Sequence, residues 1–174
     1  MKKIALATAA LVALATTPAL AQDGTSSLYG SIGYSNFSAE DAEDFDLGAV
    51  TGRFGGRFGR VLGAEVEGSI GAGDEDLGGG VSAKLKHQLA AYVVGYVPLG
   101  ESFDIFGRVG VGTAEIEIEG GGLSESASDQ SMSYGVGAQW FLDGANGVRG
   151  DWTRHDFDEV GETDVWSISY VRRF

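Results

Sequence analysis

Few residues in this sequence are of a type and spacing that could perform catalysis. His87 and His155 are the only histidines, and neither belongs to a recognisable nucleophile motif. The chain has no cysteine. The glycine-rich stretch GGGVSAK at 78–84 lacks the Gly-Lys-Ser/Thr ending of a phosphate-binding loop. Serine and threonine are abundant, so a hydroxyl near a histidine carries little information. The residues therefore predict no enzyme, no cofactor and no Cys/His metal site.

Charged residues of both signs instead alternate with apolar residues along several stretches. In VTGRFGGRF, for example, Arg53 and Arg57 alternate with Phe54 and Phe58. The full set of such charged residues is Arg53, Arg57, Glu65, Glu67, Arg108, Arg149 and Asp151. An unpaired buried charge is very costly, so these residues must pair if they share an interior. We expect a structural ion-pair network; a narrow, gated ion path through the same residues is the alternative.

Acidic residues are concentrated in four polar segments that contain no basic residue. Segments 38–46, 73–80, 115–130 and 156–164 hold 18 of the 25 acidic residues. Carboxylate clusters of this kind could bind Ca²⁺ or Mg²⁺ through hard oxygen ligands. No segment has the spacing of a dedicated calcium loop. A solvated, repulsive surface is the plainer interpretation, and divalent cations that bridge the acidic segments to anionic lipid are the alternative.

Alternation of apolar and polar residues, which is typical of β-strands, must position these charges. It predicts eight strands near 27–37, 47–58, 63–72, 83–97, 103–114, 131–141, 147–155 and 164–174. Short turns at 59–63, 98–102 and 142–147 alternate along the chain with four longer polar connections at 38–46, 73–80, 119–130 and 156–162. An up-and-down antiparallel barrel produces this order, with short turns at one rim and long loops at the other.

The composition of the two strand faces bears on whether such a barrel lies in a membrane. Glycine and serine share the charged rows, which suits a narrow, polar interior. Aromatic residues fall towards the strand ends: Phe54, Phe58, Trp140 and Phe174 near the short turns, and Tyr34, Tyr134, Trp152 and Trp166 near the long loops. Two aromatic girdles around an apolar band are typical of membrane barrels. A soluble lipocalin-like barrel is the alternative.

Two strands are less regular than the others. In 83–97, the row of Lys84, Lys86 and Gln88 suggests that Tyr92 and Tyr96 point inward, although a bulge could reverse this orientation. The segment 115–119 changes the parity of its apolar residues, and we expect it to continue its strand beyond the membrane.

The first residues have the form of a secretory signal peptide. Lys2 and Lys3 precede an uncharged apolar stretch, and Ala19 and Ala21 flank a cleavage site after Ala21. We therefore expect a signal peptide at 1–21 and one domain at 22–174. Without Lys2 and Lys3, 10 of the 12 basic residues remain against 25 acidic ones, a net charge of −15. This charge argues against a nucleic-acid partner, which would require a basic surface.

Three features carry a family resemblance. They are the leader, the aromatic final strand and the stretch YGVGAQWFLDGANGVRGDWTRHDF at 134–157. A glycine-rich strand ends in aromatics, a short turn follows, and Arg149 and Asp151 then stand two apart. These features resemble the small outer-membrane β-barrel family of Gram-negative bacteria, which includes opacity-type surface antigens and porin-like proteins. The resemblance implies an all-β, eight-stranded antiparallel transmembrane barrel in the outer membrane, with short periplasmic turns and longer acidic extracellular loops.

The resemblance implies a location and a fold rather than a specific activity. We expect a monomeric, non-enzymatic protein with a role in surface exposure, envelope integrity or adhesion, surrounded by outer-membrane lipid. A porin-like channel for small solutes is the alternative, and a barrel lipid hydrolase is a weaker one. The row Trp166, Ile168, Tyr170 and Phe174 resembles the C-terminal signal that barrel-assembly machinery reads in this family. Arg172 departs from that pattern, since the family has an aromatic or apolar residue there.

Overall fold

The computed structural model describes residues 27–39, 46–73, 75–78, 81–120, 123–157 and 161–174. The predicted signal peptide and its cleavage site lie outside these residues. The described chain forms nine β-strands: β1 (Ser27–Ala39), β2 (Asp46–Phe58), β3 (Leu62–Gly71), β4 (Glu75–Gly78), β5 (Val81–Pro98), β6 (Phe103–Gly120), β7 (Leu123–Phe141), β8 (Asn146–Phe157) and β9 (Gly161–Arg173). No helix among the described residues is long and apolar enough to cross a membrane.

Eight of these strands close into an antiparallel barrel. Each long strand pairs with its neighbour along the chain, β9 pairs with β1, and β3 pairs with β5 across the short β4. Closure leaves no free strand edge in the wall, as a barrel in lipid requires. The predicted eight-stranded fold is therefore confirmed, and β4 is a short addition that pairs with the start of β5.

Three tight turns join the strands at one rim, here called the short-turn end; the opposite rim is the long-loop end. Each turn contains one glycine with positive φ: Gly59 (69°), Gly100 (118°) and Gly144 (80°). Such backbone conformations are easily adopted only by glycine. In the last turn Asp143 accepts hydrogen bonds from the Asn146 backbone N–H at 2.6 Å and the Ala145 N–H at 3.0 Å. These hydrogen bonds lower the pKa of the Asp143 carboxyl, and those from Asn146 have the largest effect.

The strands at the long-loop end are longer than the alternation pattern predicted. β6 continues to Gly120, in agreement with the extension expected for 115–119. β7 begins at Leu123 and pairs with β6 along its full length, so most of the segment predicted as a loop at 119–130 is strand. Residues 124–130 are polar apart from Ala127, so no apolar row marks them as a strand in the sequence.

A bulge in β5 explains why the orientation of this strand was ambiguous. The pairing with β6 shifts between Leu85 and His87, so that Lys86 is an extra residue. Leu85 and Gln88 are consequently both buried although they are three residues apart. Tyr92 and Tyr96, each 3% exposed, point into the lumen as expected.

The wall separates an apolar exterior from a polar interior. Exposed apolar side chains cover the outside, among them Ile32, Phe54, Leu89, Val109, Met132, Val136, Val148 and Ile168. The aromatic residues predicted for the short-turn girdle, Phe54, Phe58, Trp140 and Phe174, are all exposed. At the long-loop end Tyr34, Tyr134 and Trp166 are exposed, and Trp152 packs edge-to-face on Tyr134. Exposure to lipid suits this surface, whereas a water-soluble barrel would carry its charges outside.

Glycines on the inner face make room for bulky lumenal side chains. A Cβ on Gly137 would collide with the Phe106 ring and approach the Asp151 Cβ to 2.6 Å. On the neighbouring strand, Gly150 faces outward, and a Cβ there would meet only the Ser167 backbone oxygen at 3.9 Å.

This contrast predicts that Gly137→Ala destabilises the barrel while Gly150→Ala does not. Overpacking at Gly137 should lower the free energy of unfolding by about 1–3 kcal/mol. Urea unfolding of protein refolded into lipid vesicles, followed by tryptophan fluorescence, measures the difference. Equal unfolding midpoints for the two variants would contradict this account of the packing.

Candidate functional site

Six of the seven charged residues singled out from the sequence meet in one cluster at the middle of the lumen. The central cluster consists of Arg53 on β2, Glu65 and Glu67 on β3, Arg108 on β6, and Arg149 and Asp151 on β8. Their residues are 1–5% exposed. Three guanidinium groups and three carboxylates therefore balance one another in a space closed to solvent. Arg57, the seventh residue, lies outside this cluster.

Arg108 reaches across the barrel and joins all three carboxylates. Its Nη1 lies 2.7 Å from Glu67 Oε2 and 3.1 Å from Glu65 Oε1. Its Nη2 lies 3.2 Å from Asp151 Oδ2 and also donates to Thr153 Oγ1 at 2.6 Å. The strand that carries Arg108 pairs with neither β3 nor β8, so these contacts connect walls that are not adjacent.

The other two arginines each bind a carboxylate pair. Arg149 donates to Glu65 through both terminal nitrogens, at 2.5 and 3.2 Å, and through Nε to Asp151 at 3.0 Å. Arg53 donates from Nε to Glu67 at 2.6 Å and from Nη2 to Asp151 at 3.2 Å. Arg53 and Glu67 also lie opposite each other in the pairing of β2 with β3.

Aromatic side chains complete the surroundings of the central cluster. The Tyr29 hydroxyl donates to Glu65 Oε2 at 2.8 Å and accepts from the Tyr96 hydroxyl at 2.9 Å. The guanidinium of Arg149 lies 4.2 Å from the centre of the Phe106 ring, and that of Arg108 lies 4.3 Å from the Tyr92 ring. Aromatic faces attract cations most strongly when water is excluded.

A second charged group, here called the rim cluster, lies at the short-turn end. Asp104 accepts hydrogen bonds from Arg57 at 3.0 Å, from Arg173 at 2.8 Å and from Gln139 at 3.0 Å. Arg173 also lies 3.5 Å from the centre of the Phe141 ring. Arg57 thus pairs with Asp104 rather than with the two glutamates of the neighbouring strand. Asp104 belongs to the same alternating row as Arg108, so the inward orientation of Asp104 could have been predicted from the sequence.

A hydroxyl-rich layer at the long-loop side of the central cluster contains His155. Its Nδ1 lies 2.8 Å from Ser133 Oγ, and its Nε2 lies 3.2 Å from Gln88 Nε2. The imidazole stacks between the rings of Phe37 and Phe157, with ring centres 6.4 and 5.8 Å away. His155 is 1% exposed, so this serine–histidine pair is closed to a substrate. His87 is half-exposed and lies 3.8 Å from Glu115, which also pairs with Lys86.

Apolar side chains close the lumen beyond His155. This apolar layer consists of Phe37, Leu47, Ala49, Leu85, Ala114 and Val165, all buried, with Phe157 packed against them. At the opposite end Tyr29, Phe141 and Val171 form a smaller buried group. The charged centre therefore lies between two apolar closures.

Part of the acidic segments proposed to bind divalent cations, at 40–45, 74 and 158–160, lies outside the described residues. Within the described chain, no group of three or more His, Cys, Asp or Glu residues could hold a metal ion. At the long-loop rim Arg154 pairs with Asp164 at 2.7 Å and with Glu162 at 2.7 Å. Cation binding by the loops stays a prediction.

The final strand presents its predicted row to the exterior. Trp166, Ile168, Tyr170 and Phe174 are all exposed, between 47% and 73%. Arg172 is exposed on the same face, and its guanidinium lies 5.9 Å from the Phe174 ring. At the membrane interface an outward arginine costs only about 0–1 kcal/mol, far less than at the midplane. Recognition of this row by assembly machinery stays a prediction.

A closed eight-stranded barrel with an apolar belt and a charged, filled lumen defines a small transmembrane β-barrel of the outer-membrane type. Residues 7–174 match the family described as "Outer membrane protein beta-barrel domain". The chain belongs to this family, and the outer membrane is its location. Among curated proteins, none matches the sequence significantly.

Solved structures of small outer-membrane barrels share this fold. One is Ail, the attachment invasion locus protein of Yersinia pestis, in complex with the heparin analogue sucrose octasulfate. The comparison gives a TM-score of 0.66 at 17% sequence identity and covers 86% of this chain and 99% of that chain. The N-terminal barrel domain of Pseudomonas aeruginosa OprF has a TM-score of 0.65 at 11% identity, with coverages of 85% and 97%. Neisserial surface protein A has a TM-score of 0.59 at 8% identity, with coverages of 86% and 97%. At these identities the likeness concerns the fold alone.

The central cluster predicts that Glu65→Gln is strongly destabilising. The change removes the carboxylate that Arg149 binds through both terminal nitrogens and leaves it only Asp151. The loss of one member of a buried ion pair typically costs about 3–5 kcal/mol. Glu162→Gln is the matched control, because its pair with Arg154 lies partly exposed at the rim and should contribute about 0–1 kcal/mol. Urea unfolding in lipid vesicles compares the two variants. A Glu65→Gln barrel as stable as the control would show that the cluster contributes nothing to stability.

Proposed function

We propose that this protein is a non-conducting, non-enzymatic outer-membrane barrel that acts through its acidic loop surface, in envelope integrity or in adhesion. The observation that carries the proposal is the filled lumen. Side chains from four strands meet in the central cluster and leave its charges paired and buried. An eight-stranded interior is only wide enough to be filled by side chains in this manner.

The closures at both ends of the lumen support the same conclusion. An ion that enters from the long-loop end would first meet the apolar layer, whose described side chains are hydrocarbon and aromatic and replace little of its hydration shell. It would then have to separate the arginines of the central cluster from their carboxylates. A narrow channel through these residues is the competing function, and it requires both barriers to open.

Catalysis has little support in the geometry. Ser133 and His155 approach within hydrogen-bonding distance, which a nucleophile and its base also do. Both side chains nevertheless face the lumen below the apolar layer and are 1% exposed. A lipid substrate travels along the outer surface of the barrel and does not reach this pair.

The charge of the loops bears on the kind of partner. Ail was solved with a sulfated heparin analogue, a strongly anionic ligand. The four long polar segments of the present chain contain 18 acidic residues and no basic one. Their field repels such an anion. We therefore propose that partners of the loops are cationic surfaces, or anionic lipids reached through divalent cations.

Planar-bilayer recording tests the proposal directly. Refolded protein whose folding is verified by heat-modifiable gel mobility should produce no conductance steps in molar KCl. The double variant Glu65→Ala/Arg149→Ala removes one positive and one negative charge of the central cluster together. It tests whether ions pass through the lumen past this cluster. Steady conductance of the wild-type protein that changes in this variant would establish the channel function instead.

A further inference from the structure

Four buried side-chain atoms of the described lumen have no hydrogen-bond partner within the protein, and three of them lie on adjacent strands. Among the described residues, Ser31 Oγ, Arg53 Nη1 and Ser169 Oγ are buried side-chain atoms with no hydrogen-bond partner. They lie on β1, β2 and β9, which are adjacent in the wall. The fourth such atom, Gln88 Oε1, lies in the layer of His155 and is separate from them.

The strand register brings these three residues together. Ser31 lies directly opposite Arg53 across β1 and β2. On its other side Ser31 lies opposite Val171. Ser169 is the preceding inward residue of β9 and is therefore a diagonal neighbour of Ser31. Diagonal neighbours have Cα atoms about 7–8 Å apart, so one small molecule between the side chains can contact both hydroxyls.

The charge of the surroundings determines what kind of molecule fits. The remaining nitrogens of Arg53 are already bound to Glu67, Asp151 and Ser167. The three arginines of the central cluster are balanced by its three carboxylates, so an added anion would leave a net negative charge in a closed interior. A neutral molecule that both accepts and donates hydrogen bonds has no such cost.

We propose that Ser31, Arg53 and Ser169 form a binding site for a neutral hydrogen-bonding guest, a single water molecule. The guest accepts a hydrogen bond from Arg53 Nη1 and exchanges hydrogen bonds with the two serine hydroxyls. Three polar partners are typical of a water buried in a protein. The site completes the pairing of Arg53 and is independent of what the loops bind.

The wall next to the site is lined by hydroxyl groups. Arg53 Nη2 donates a hydrogen bond to the Ser167 hydroxyl. From there the hydroxyl oxygens of four residues form a row in which each lies 2.7–2.8 Å from the next: Ser167, Ser35, Thr51 and Ser69. The opposite wall carries the buried group of Ala90, Tyr92, Val94, Tyr96 and Phe106.

Serine-to-alanine variants distinguish a hydrated site from three orphaned atoms. With a shared water, Ser31→Ala and Ser169→Ala should each lower the folding equilibrium constant about fivefold, because each removes a partner of the guest. The double variant should lose less than the product of the two effects, since both serines hold the same molecule. Ser35→Ala is the matched control, because its hydroxyl already has two protein partners.

The sign of the effect decides the outcome. If Ser31 and Ser169 were orphaned, their replacement by alanine would raise stability, in contrast to Ser35→Ala, and the proposal would be wrong. A crystal structure of the whole barrel grown with bromide in place of chloride supplies an independent measurement. A water-sized peak near the three atoms without anomalous signal is expected. An anomalous bromide peak, or no density, would overturn the proposal.

Discussion

The pairing of charge inside a narrow barrel is the constraint on which the rest of this structure depends. Three arginines and three carboxylates are held in an interior that bulk water does not reach, and each must find its partner at hydrogen-bonding distance. This requirement is also a requirement on strand register. A slip of one residue would turn every side chain of a strand to the opposite face, and an arginine on the lipid face near the midplane costs about 2–4 kcal/mol.

Such a network specifies the fold more than it adds to its stability. The desolvation of buried ions can cancel their attraction, so apolar residues of equal volume would often serve stability as well. Apolar residues in the lumen, however, would make the two faces of each strand alike, and the inward and outward rows would lose their distinction. The charged interior thus identifies which face belongs to lipid, while the apolar layer at the long-loop end excludes solvent from the charges.

Much of the architecture could be predicted from the sequence, because each strand of the wall has an apolar face towards lipid and a polar face towards the lumen. Alternation therefore indicated the strands, and the pairing of Arg53 with the strand of Glu67 followed from their order. The partner of Arg57 could not be obtained in this way, since Asp104 lies on β6 and contacts it only across the closed lumen. The strand at 123–130 was missed because its residues are polar apart from Leu123 and Ala127, so no apolar row marks one face there.

The bulge at Lys86 has a consequence for how β5 tolerates a change of length. It lies in β5 close to the apolar layer, where the wall leaves the charged interior. A strand that already contains one extra residue can absorb another change of length locally, without reversing the faces that follow. A change of length in the projecting part of the β5–β6 hairpin can therefore be taken up at the bulge while the lumen keeps its register. In this sense Lys86 separates the register of the hairpin from that of the charged lumen.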